Sequence, residues 1–213
     1  MTKDQAEKFN QFYTLLIETN KKFNLTRITD YEDVWNKHFL DCIELSKYIP
    51  QSAKVIDIGT GAGFPAIPLA IMRPDIEITA IDATLKRVNF VNAAAASCQL
   101  PSVSCYHARA EELAHNPQYR EKFDIATSRA VANLSILAEL CLPFVKPGGQ
   151  MLAMKGQNID EEMENAKEII TLLGGANIKK EIYQIADFSH SIIIIEKTSA
   201  TPLHFPRAIN KMK

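Results

Sequence analysis

The order of apolar and polar positions along the chain predicts an N-terminal helical region followed by alternating strands and helices. Apolar residues recur at helical spacing over residues 3–19 and again over residues 30–48, which predicts two amphipathic helices. Short apolar runs then predict seven strands, Lys54–Ile58, Glu77–Ile81, Val103–Tyr106, Phe123–Thr127, Gln150–Lys155, Lys179–Gln184 and Ser191–Glu196. The helices predicted between them are Pro65–Met72, Leu85–Cys98, Asn133–Val145 and Asp160–Leu173.

This alternation predicts an α/β fold with a seven-stranded, mostly parallel sheet covered by helices on both faces. The connection over residues 185–190 is too short for a helical crossover, so the last two strands should form an antiparallel hairpin. A parallel sheet that ends in such a hairpin resembles the Rossmann-like fold of class I S-adenosylmethionine (SAM)-dependent methyltransferases. Within a single domain overall, we expect a helical extension at 1–50, a SAM-binding methyltransferase domain at 51–198 and a tail at 199–213.

A glycine-rich turn follows the first predicted strand directly. Gly59, Gly61 and Gly63 alternate there, and glycine lets the backbone turn tightly and lets a ligand approach it closely. The helix after the turn offers unpaired N–H groups and the positive end of its dipole. Together these features predict a nucleotide-type site at the carboxyl end of the first strand.

Two aspartates bear on which nucleotide binds. Asp57 precedes the turn where dinucleotide-binding turns have an apolar residue, and a carboxylate suits the cationic amino-acid end of SAM. Residues 61–66 nevertheless match the dinucleotide fingerprint formally, and Asp82 follows at about the right distance to accept ribose hydroxyls. The stretch therefore favours SAM and leaves NAD open, although no residues remain for the substrate domain of a dehydrogenase.

The ends of the third and fourth strands supply further candidates. Glu111, in Ala108-Arg109-Ala110-Glu111-Glu112, either contacts the adenine of a bound nucleoside or serves as a first-turn helix acid. Arg129, in Ser128-Arg129-Ala130, can hold a carboxylate, a phosphate or the O6 edge of guanine. Its position at a strand end makes it a candidate for both cofactor contact and catalysis.

Motifs that the chain lacks restrict the target. It has no Asn/Asp-Pro-Pro-Tyr sequence, which is usual in enzymes that methylate exocyclic amines, and no cysteine that follows a proline, which is typical of pyrimidine C5 methyltransferases. A target that is nucleophilic without deprotonation or covalent activation is therefore favoured. Guanine N7 is such a target, and alignment of the reactants would carry most of the rate effect.

Composition and charge set wider limits. The 213 residues are 46% hydrophobic and 23% charged, with four scattered cysteines that have no metal-ligand spacing, so we expect reduced thiols, no metal and a cytoplasmic protein. No apolar run predicts a membrane partner, and we expect a monomer. A net charge of −1 does not exclude RNA, which needs only a local basic patch. The candidate RNA-contacting residues are Arg27, Arg109, Lys155 and Arg207.

Over almost its whole length the chain resembles the bacterial 16S ribosomal RNA guanine-N7 methyltransferase family, also called glucose-inhibited division protein B. The motifs that carry the resemblance are Asn24-Leu25-Thr26 with His38 and Asp41, residues 57–65, residues 86–90, residues 109–112, Ser128-Arg129-Ala130, Pro147-Gly148-Gly149, Lys155-Gly156 and Thr201-Pro202. Three departures are Ala66 in place of a usual glycine, His190 near a usual arginine, and a tail without the usual Gly-x-Pro continuation.

The resemblance implies a cytoplasmic enzyme that methylates one guanine of 16S ribosomal RNA, free or in the small subunit, near the decoding region. It implies SAM contacts at Gly59, Phe64, Ala110, Glu111 and Arg129, and RNA-facing residues at Arg109 and Lys155. The alternative is a small-molecule methyltransferase or a regulatory nucleotide-binding module without an RNA substrate. A basic face around the mouth of the cleft would favour RNA, and a small closed apolar pocket would favour the alternative.

Overall fold

The computed structural model describes residues 1–129 and 132–212, and it shows a seven-stranded mixed sheet between two layers of helices. The strands are β1 (Lys54–Ile58), β2 (Glu77–Asp82), β3 (Val103–His107), β4 (Phe123–Arg129), β5 (Val145–Gly156), β6 (Gly175–Ile185) and β7 (Phe188–Lys197). The helices are α1 (Lys3–Asn20), α2 (Tyr31–Val34), α3 (Leu40–Leu45), α4 (Ala66–Met72), α5 (Leu85–Ser97), α6 (Ala110–Leu113), α7 (Leu134–Cys141) and α8 (Asp160–Leu172). Ala130 of the predicted Ser128-Arg129-Ala130 motif and Lys213 of the predicted tail lie outside the described residues.

The strand order β3-β2-β1-β4-β5-β7-β6 confirms the predicted sheet. The first five strands pair in parallel, and β7 runs antiparallel to both β5 and β6, as a C-terminal hairpin requires. From β1 the chain builds outward to β3 and then adds β4 on the other side of β1. Ligands of open α/β sheets bind at such a reversal, beyond the carboxyl ends of the two strands.

The strands nearest the reversal begin and end close to their predicted limits, and the hairpin does not. β1 has its predicted bounds, whereas β6 starts four residues earlier than predicted, at Gly175. β6 is an edge strand whose exposed positions carry charged side chains, including Lys179 and Glu181, so its pattern is not apolar. Among the described residues, no helix has the length and apolar character needed to cross a membrane.

The single helix predicted over residues 30–48 is interrupted. A π-helical turn at Trp35–Phe39 separates α2 from α3, and a 3₁₀ turn at Ser46–Tyr48 ends the region. Asp30 caps α2 by accepting a hydrogen bond from the Asp33 N–H. π-helical turns occur often at functional sites, and this one contains His38, which faces the carboxyl ends of the strands.

Aromatic packing joins the N-terminal helices to the sheet. The ring of Phe12, fully buried on α1, lies 5.8 Å from the ring of Phe39, 5.4 Å from that of Phe64 and 6.3 Å from that of Phe90. These partners belong to the π-helical turn, the glycine turn and α5. The helical extension is therefore continuous with the hydrophobic core on one face of the sheet.

We predict that Phe12→Ala destabilises the extension and the sheet together. Emptying this site should lower the free energy of unfolding by about 3–5 kcal/mol. The chain's one tryptophan, Trp35, lies in the extension, so its fluorescence can be compared with far-UV circular dichroism during urea unfolding. Both probes should shift to the same lower midpoint, and Leu172→Ala, at a half-exposed position, should change little. Two separate transitions would contradict a single cooperative unit.

Candidate functional site

The glycine turn after β1 is held by hydrogen bonds to β2. The Gly59 and Thr60 N–H groups donate to the Ile81 carbonyl at 2.9 and 3.0 Å, and the Gly61 N–H donates to Asp82 Oδ2 at 3.0 Å. Gly61 has φ +60°, and a Cβ added there would have only the Gly59 carbonyl within 4 Å, at 3.9 Å. The turn thus presents bare backbone to an open space.

Asp82 joins the turn to the next helix. Its Oδ1 accepts from the Thr84 N–H at 2.8 Å, and the Arg87 guanidinium lies 3.5 Å from its Oδ2. The side chain is buried, yet each carboxylate oxygen keeps a second lone pair for a ligand. Asp82 is therefore fixed in place while still able to accept hydrogen bonds.

Two cavities meet at this aspartate. The larger has a volume of about 470 Å³ and is lined by Leu25, Thr26, His38, Gly59, Thr60, Gly61, Ala62, Phe64, Asp82, Ala83, Thr84, Arg87 and Arg129. The smaller, of about 170 Å³, is an apolar slot lined by Ile58, Gly59, Ile81, Asp82, Ala83, Ala108, Arg109, Ala110, Glu111, Leu140 and Ile209. Because they share Gly59, Asp82 and Ala83, the two form one groove across the strand ends.

The groove brings together most of the residues predicted to bind the cofactor. Gly59, Gly61, Phe64, Asp82 and Arg129 line the larger cavity. Ala110 and Glu111 line the slot, as the resemblance implies for one end of the nucleoside. Sequence reasoning missed two apolar walls of the slot, Leu140 on α7 and Ile209 in the tail, since neither belongs to a recognisable motif.

Asp57, the remaining predicted cofactor residue, lies beneath the turn and lines neither cavity. Its side chain is fully buried, and neither carboxylate oxygen has a hydrogen-bond partner among the described residues. Burial raises the pKa of this carboxyl from 3.8 to about 7. Direct contact between Asp57 and a ligand stays a prediction.

Arg129, at the end of β4, is held by the helical extension. Its Nη2 donates to the Lys37 carbonyl at 2.9 Å and to His38 Nδ1 at 2.6 Å, and its Nε lies 3.4 Å from Asp41 Oδ2. Its guanidinium also lies over the ring of Phe64, 5.7 Å from the centroid. The extension thereby fixes a cation on the wall of the larger cavity at the end of β4.

His38 is a neutral acceptor in this arrangement. Burial, together with the charge of Arg129, lowers the pKa of the imidazole from 6.5 to about 4. Nδ1 lies 2.6 Å from the Arg129 Nη2, which can only donate, and 3.1 Å from the Lys37 carbonyl, which can only accept. We assign Nδ1 as the acceptor of the shorter contact, so Nε2 carries the proton and donates to Thr26 Oγ1 at 3.2 Å. Both ring nitrogens are thus engaged, and the imidazole is uncharged at neutral pH.

A third cavity lies on the other side of Arg129. It has a volume of about 200 Å³ and is lined by Asp41, Arg129, Met154, Lys155, Gly156 and His190. Asp41 accepts a hydrogen bond from the Tyr183 hydroxyl, and His190 Nδ1 lies 3.5 Å from its Oδ1. Arg129 therefore stands between two spaces, one at the glycine turn and one near the hairpin.

The four predicted RNA-contacting cations differ in their surroundings. Arg27 and Arg109 are exposed, and Arg109 has only a long contact, 3.8 Å, to Glu111. Lys155 is half-buried and donates to the Ala132 carbonyl and to Glu162. Arg207 is also exposed, but it pairs closely with the fully buried Glu139, so Arg27 and Arg109 are the better candidates for RNA contact.

The thiols offer no nucleophile. All four cysteines are buried and unpaired, and burial raises the pKa of Cys42 and Cys105 to about 12. Cys42 lies 3.8 Å from Arg129, and even there the thiol stays protonated at neutral pH. A protonated thiol does not attack a substrate, which argues against covalent catalysis by cysteine.

Comparison with known proteins gives a consistent result. A family model described as GidB, rRNA small subunit methyltransferase G, matches residues 5–186. A Clostridium botulinum protein named ribosomal RNA small subunit methyltransferase G is 46% identical over 208 residues, which cover 94% of this chain and 87% of that protein.

Solved structures with low sequence identity show the fold. A SAM-dependent methyltransferase from Aquifex aeolicus has a TM-score of 0.56 and 17% identity, over 84% of this chain and 97% of its own. An O-methyltransferase from Bacillus cereus, solved with SAH, has a TM-score of 0.58 and 13% identity, over 86% and 89%. The predicted class I SAM-dependent methyltransferase fold is confirmed.

We predict that Asp57→Asn changes how stability depends on pH. The folded protein holds the Asp57 proton more tightly than the unfolded chain does, so the wild type should lose stability as pH rises from about 4 to about 7. Above pH 7 the loss in unfolding free energy reaches its full value, at most ~4 kcal/mol, and Asp57→Asn removes that loss.

Thermal unfolding without ligand at pH 5 and pH 8 measures the effect. Between pH 5 and pH 8 the melting temperature of Asp57→Asn should rise relative to that of the wild type. Asp187→Asn, in the exposed hairpin turn, should have the same pH dependence as the wild type. An Asp57→Asn variant that is equally destabilised at both values would mean that the ionised carboxylate is stabilised in the fold.

Proposed function

The chain belongs to the rRNA small subunit methyltransferase G family, and from this premise we propose that it methylates N7 of one guanine in 16S ribosomal RNA near the decoding region. SAM is the proposed donor, and when bound it supplies an electrophilic methyl group on a sulfonium. The substrate is the RNA itself or the small ribosomal subunit. We further propose that the enzyme acts as a monomer in the cytoplasm.

The observation that carries the proposal is that the groove has three adjoining regions: the larger cavity, Asp82 and the apolar slot. The larger cavity offers polar backbone for the amino-acid end of the donor, and the apolar slot suits a purine. Asp82 lies where they meet, where a ribose would present its two hydroxyls. Amino acid, ribose and adenine thus have separate, adjoining surroundings in the order in which SAM joins them.

Among the described residues, the histidine of the donor cavity and the buried thiols are not available as bases, which supports guanine N7 as the target. His38 uses both ring nitrogens within the protein and is uncharged, and Cys42 and Cys105 remain thiols. A hydroxyl or an exocyclic amine would have to lose a proton during transfer, whereas guanine N7 attacks with a lone pair outside the aromatic sextet. The enzyme then needs mainly to align the reactants and exclude water.

The lining of the third cavity supports a polar nucleobase as the group that receives the methyl. Arg129 lines this cavity and the donor cavity, so it can contact both reactants. Asp41 offers carboxylate lone pairs to ring and amino N–H groups such as guanine carries. A small-molecule methyltransferase would favour a closed apolar pocket, and this cavity is bordered by charged side chains instead.

We predict that Gly61→Val abolishes or strongly weakens SAM binding. The added side chain should weaken binding by about 1–3 kcal/mol, or roughly 5- to 150-fold, because it enters space that the donor occupies. Isothermal titration calorimetry with SAM and with S-adenosylhomocysteine measures the loss, and wild type should show no binding of NAD.

Gly148→Val is the matched control for backbone strain. Gly148 has φ +89° with no atom within 4 Å of an added Cβ, and it lies outside the groove. Both substitutions place a side chain at positive φ and should cost about 1–2 kcal/mol of stability, but only Gly61→Val should affect SAM. Tight NAD binding without SAM binding by wild type would reject the proposed function.

We predict that Arg27→Ala and Arg109→Ala weaken RNA binding, and that Arg27→Ala, at a position that lines neither part of the groove, leaves SAM affinity nearly unchanged. Loss of a charged contact should reduce RNA affinity roughly 10- to 150-fold. Each lost phosphate contact should also reduce the log–log salt slope by about 0.7–0.9. Methylation of 16S RNA, read as strand cleavage by borohydride and aniline at N7-methylguanine, should fall with RNA affinity.

Arg129→Ala should reduce both SAM affinity and methylation, which separates it from Arg27→Ala. A product that resists borohydride and aniline would argue against N7 as the target. Unchanged RNA affinity in the Arg27→Ala, Arg109→Ala double variant would move the RNA surface elsewhere on the protein.

A further inference from the structure

The C-terminal tail is fixed to the protein by two side chains of the turn segment between α6 and β4. Arg120 donates to the carbonyls of Thr201, Pro202 and Phe205 at 2.9, 3.0 and 2.8 Å. His115 Nε2 lies 2.9 Å from the carbonyl of Pro206. Three or more hydrogen bonds to successive tail carbonyls give this segment one defined path across the surface.

Arg207 adds a second anchor. Its backbone N–H and its Nε donate to Glu139 Oε1 at 2.6 and 2.9 Å, and its Nη2 donates to Oε2 at 2.7 Å. Glu139 is fully buried on α7, where an unpaired carboxylate would be costly, so these bonds strongly favour the docked tail. The next residue of α7, Leu140, is a wall of the apolar slot.

Ile209 follows this anchor by two residues and completes the slot. It lies at the start of a 3₁₀ turn, Ile209–Lys211, and the buried Met212 ends the described tail. Ile209 is 39% exposed although it lines an apolar cavity together with Ile58, Ile81 and Leu140. A large aliphatic side chain that borders an apolar slot gains by packing on a flat apolar ligand.

We propose that the tail forms the outer wall of the adenine site, with Ile209 packing on the purine and Arg207 as the positioning residue that holds it there. The proposal rests on the proposed function, because it takes the slot to be the adenine end of the donor site. It also gives Arg207 a role at the donor site rather than on RNA. The tail then contributes to donor affinity although it lies far from the glycine turn in sequence.

Calorimetry with two ligands tests this inference. S-adenosylhomocysteine and 5′-methylthioadenosine share the adenosine group, and only the first has the amino-acid end. Ile209→Ala should weaken both by the same factor, roughly 5- to 30-fold, because the lost contact is to the shared group. The melting temperature without ligand should stay near that of wild type, since Ile209 is partly exposed.

Three further variants separate the contact of Ile209 with the ligand from a general effect on stability. Leu203→Ala, in the same tail but 83% exposed and outside the slot, should bind both ligands as wild type does. Arg207→Ala should weaken both ligands, and Arg207→Lys should restore part of the affinity because it keeps a cation beside Glu139.

An Ile209→Ala variant that binds both ligands with wild-type affinity would overturn the inference while leaving the proposed function intact. A loss confined to S-adenosylhomocysteine would overturn it too, because it would place Ile209 near the amino-acid end. Failure of the wild type to bind S-adenosylhomocysteine would instead reject the proposed function.

Discussion

The contact of Arg129 with the π-helical turn is the interaction on which the site depends. A guanidinium inside a protein is costly unless charged and polar partners surround it, and here Asp41, the Lys37 carbonyl and His38 do so. The contact requires a neutral His38, because a protonated ring would repel the guanidinium and could not accept its hydrogen bond. Burial and the neighbouring charge keep the imidazole neutral, so the extension is a stable wall of the cavity at the sheet.

Both ends of the chain contribute walls to a groove whose floor is the sheet. Residues before 42 enclose the side near Arg129, and the tail encloses the apolar slot.

The distribution of the basic residues explains how a chain of net charge −1 can serve a polyanionic substrate. Lys155 and Arg207 form close ion pairs with Glu162 and Glu139, whereas the exposed Arg27 and Arg109 have no such close pair among the described residues, which suits the proposed contacts with phosphate.

The parts of the molecule that local sequence determines were predictable. The first strand, the glycine turn and Asp82 follow from residue types at fixed spacing. The bounds of β1, the mostly parallel sheet with its terminal hairpin and most of the groove therefore agree with expectation. The π-helical turn was not predictable, because its apolar spacing is close to that of an α-helix. Ile209 and Leu140 were missed because a wall made by distant segments leaves no local pattern. The position of Asp57, buried beneath the turn and not facing the cavity, was also not predictable, because it depends on the three-dimensional path of the backbone.

The proposed reaction moves positive charge from donor to target, and the distribution of carboxylates agrees with this movement. A sulfonium loses its charge as the methyl group leaves, and a guanine methylated at N7 gains it. Asp41 lies on the wall of the third cavity, the proposed place of the target, where a carboxylate stabilises the positive charge that develops during transfer. Its pairing with Arg129 keeps the carboxylate oriented before the target binds. An enzyme that aligns its reactants and removes no proton from the target can thus still favour the transition state, through fixed charges on the side of the site where the new cation forms.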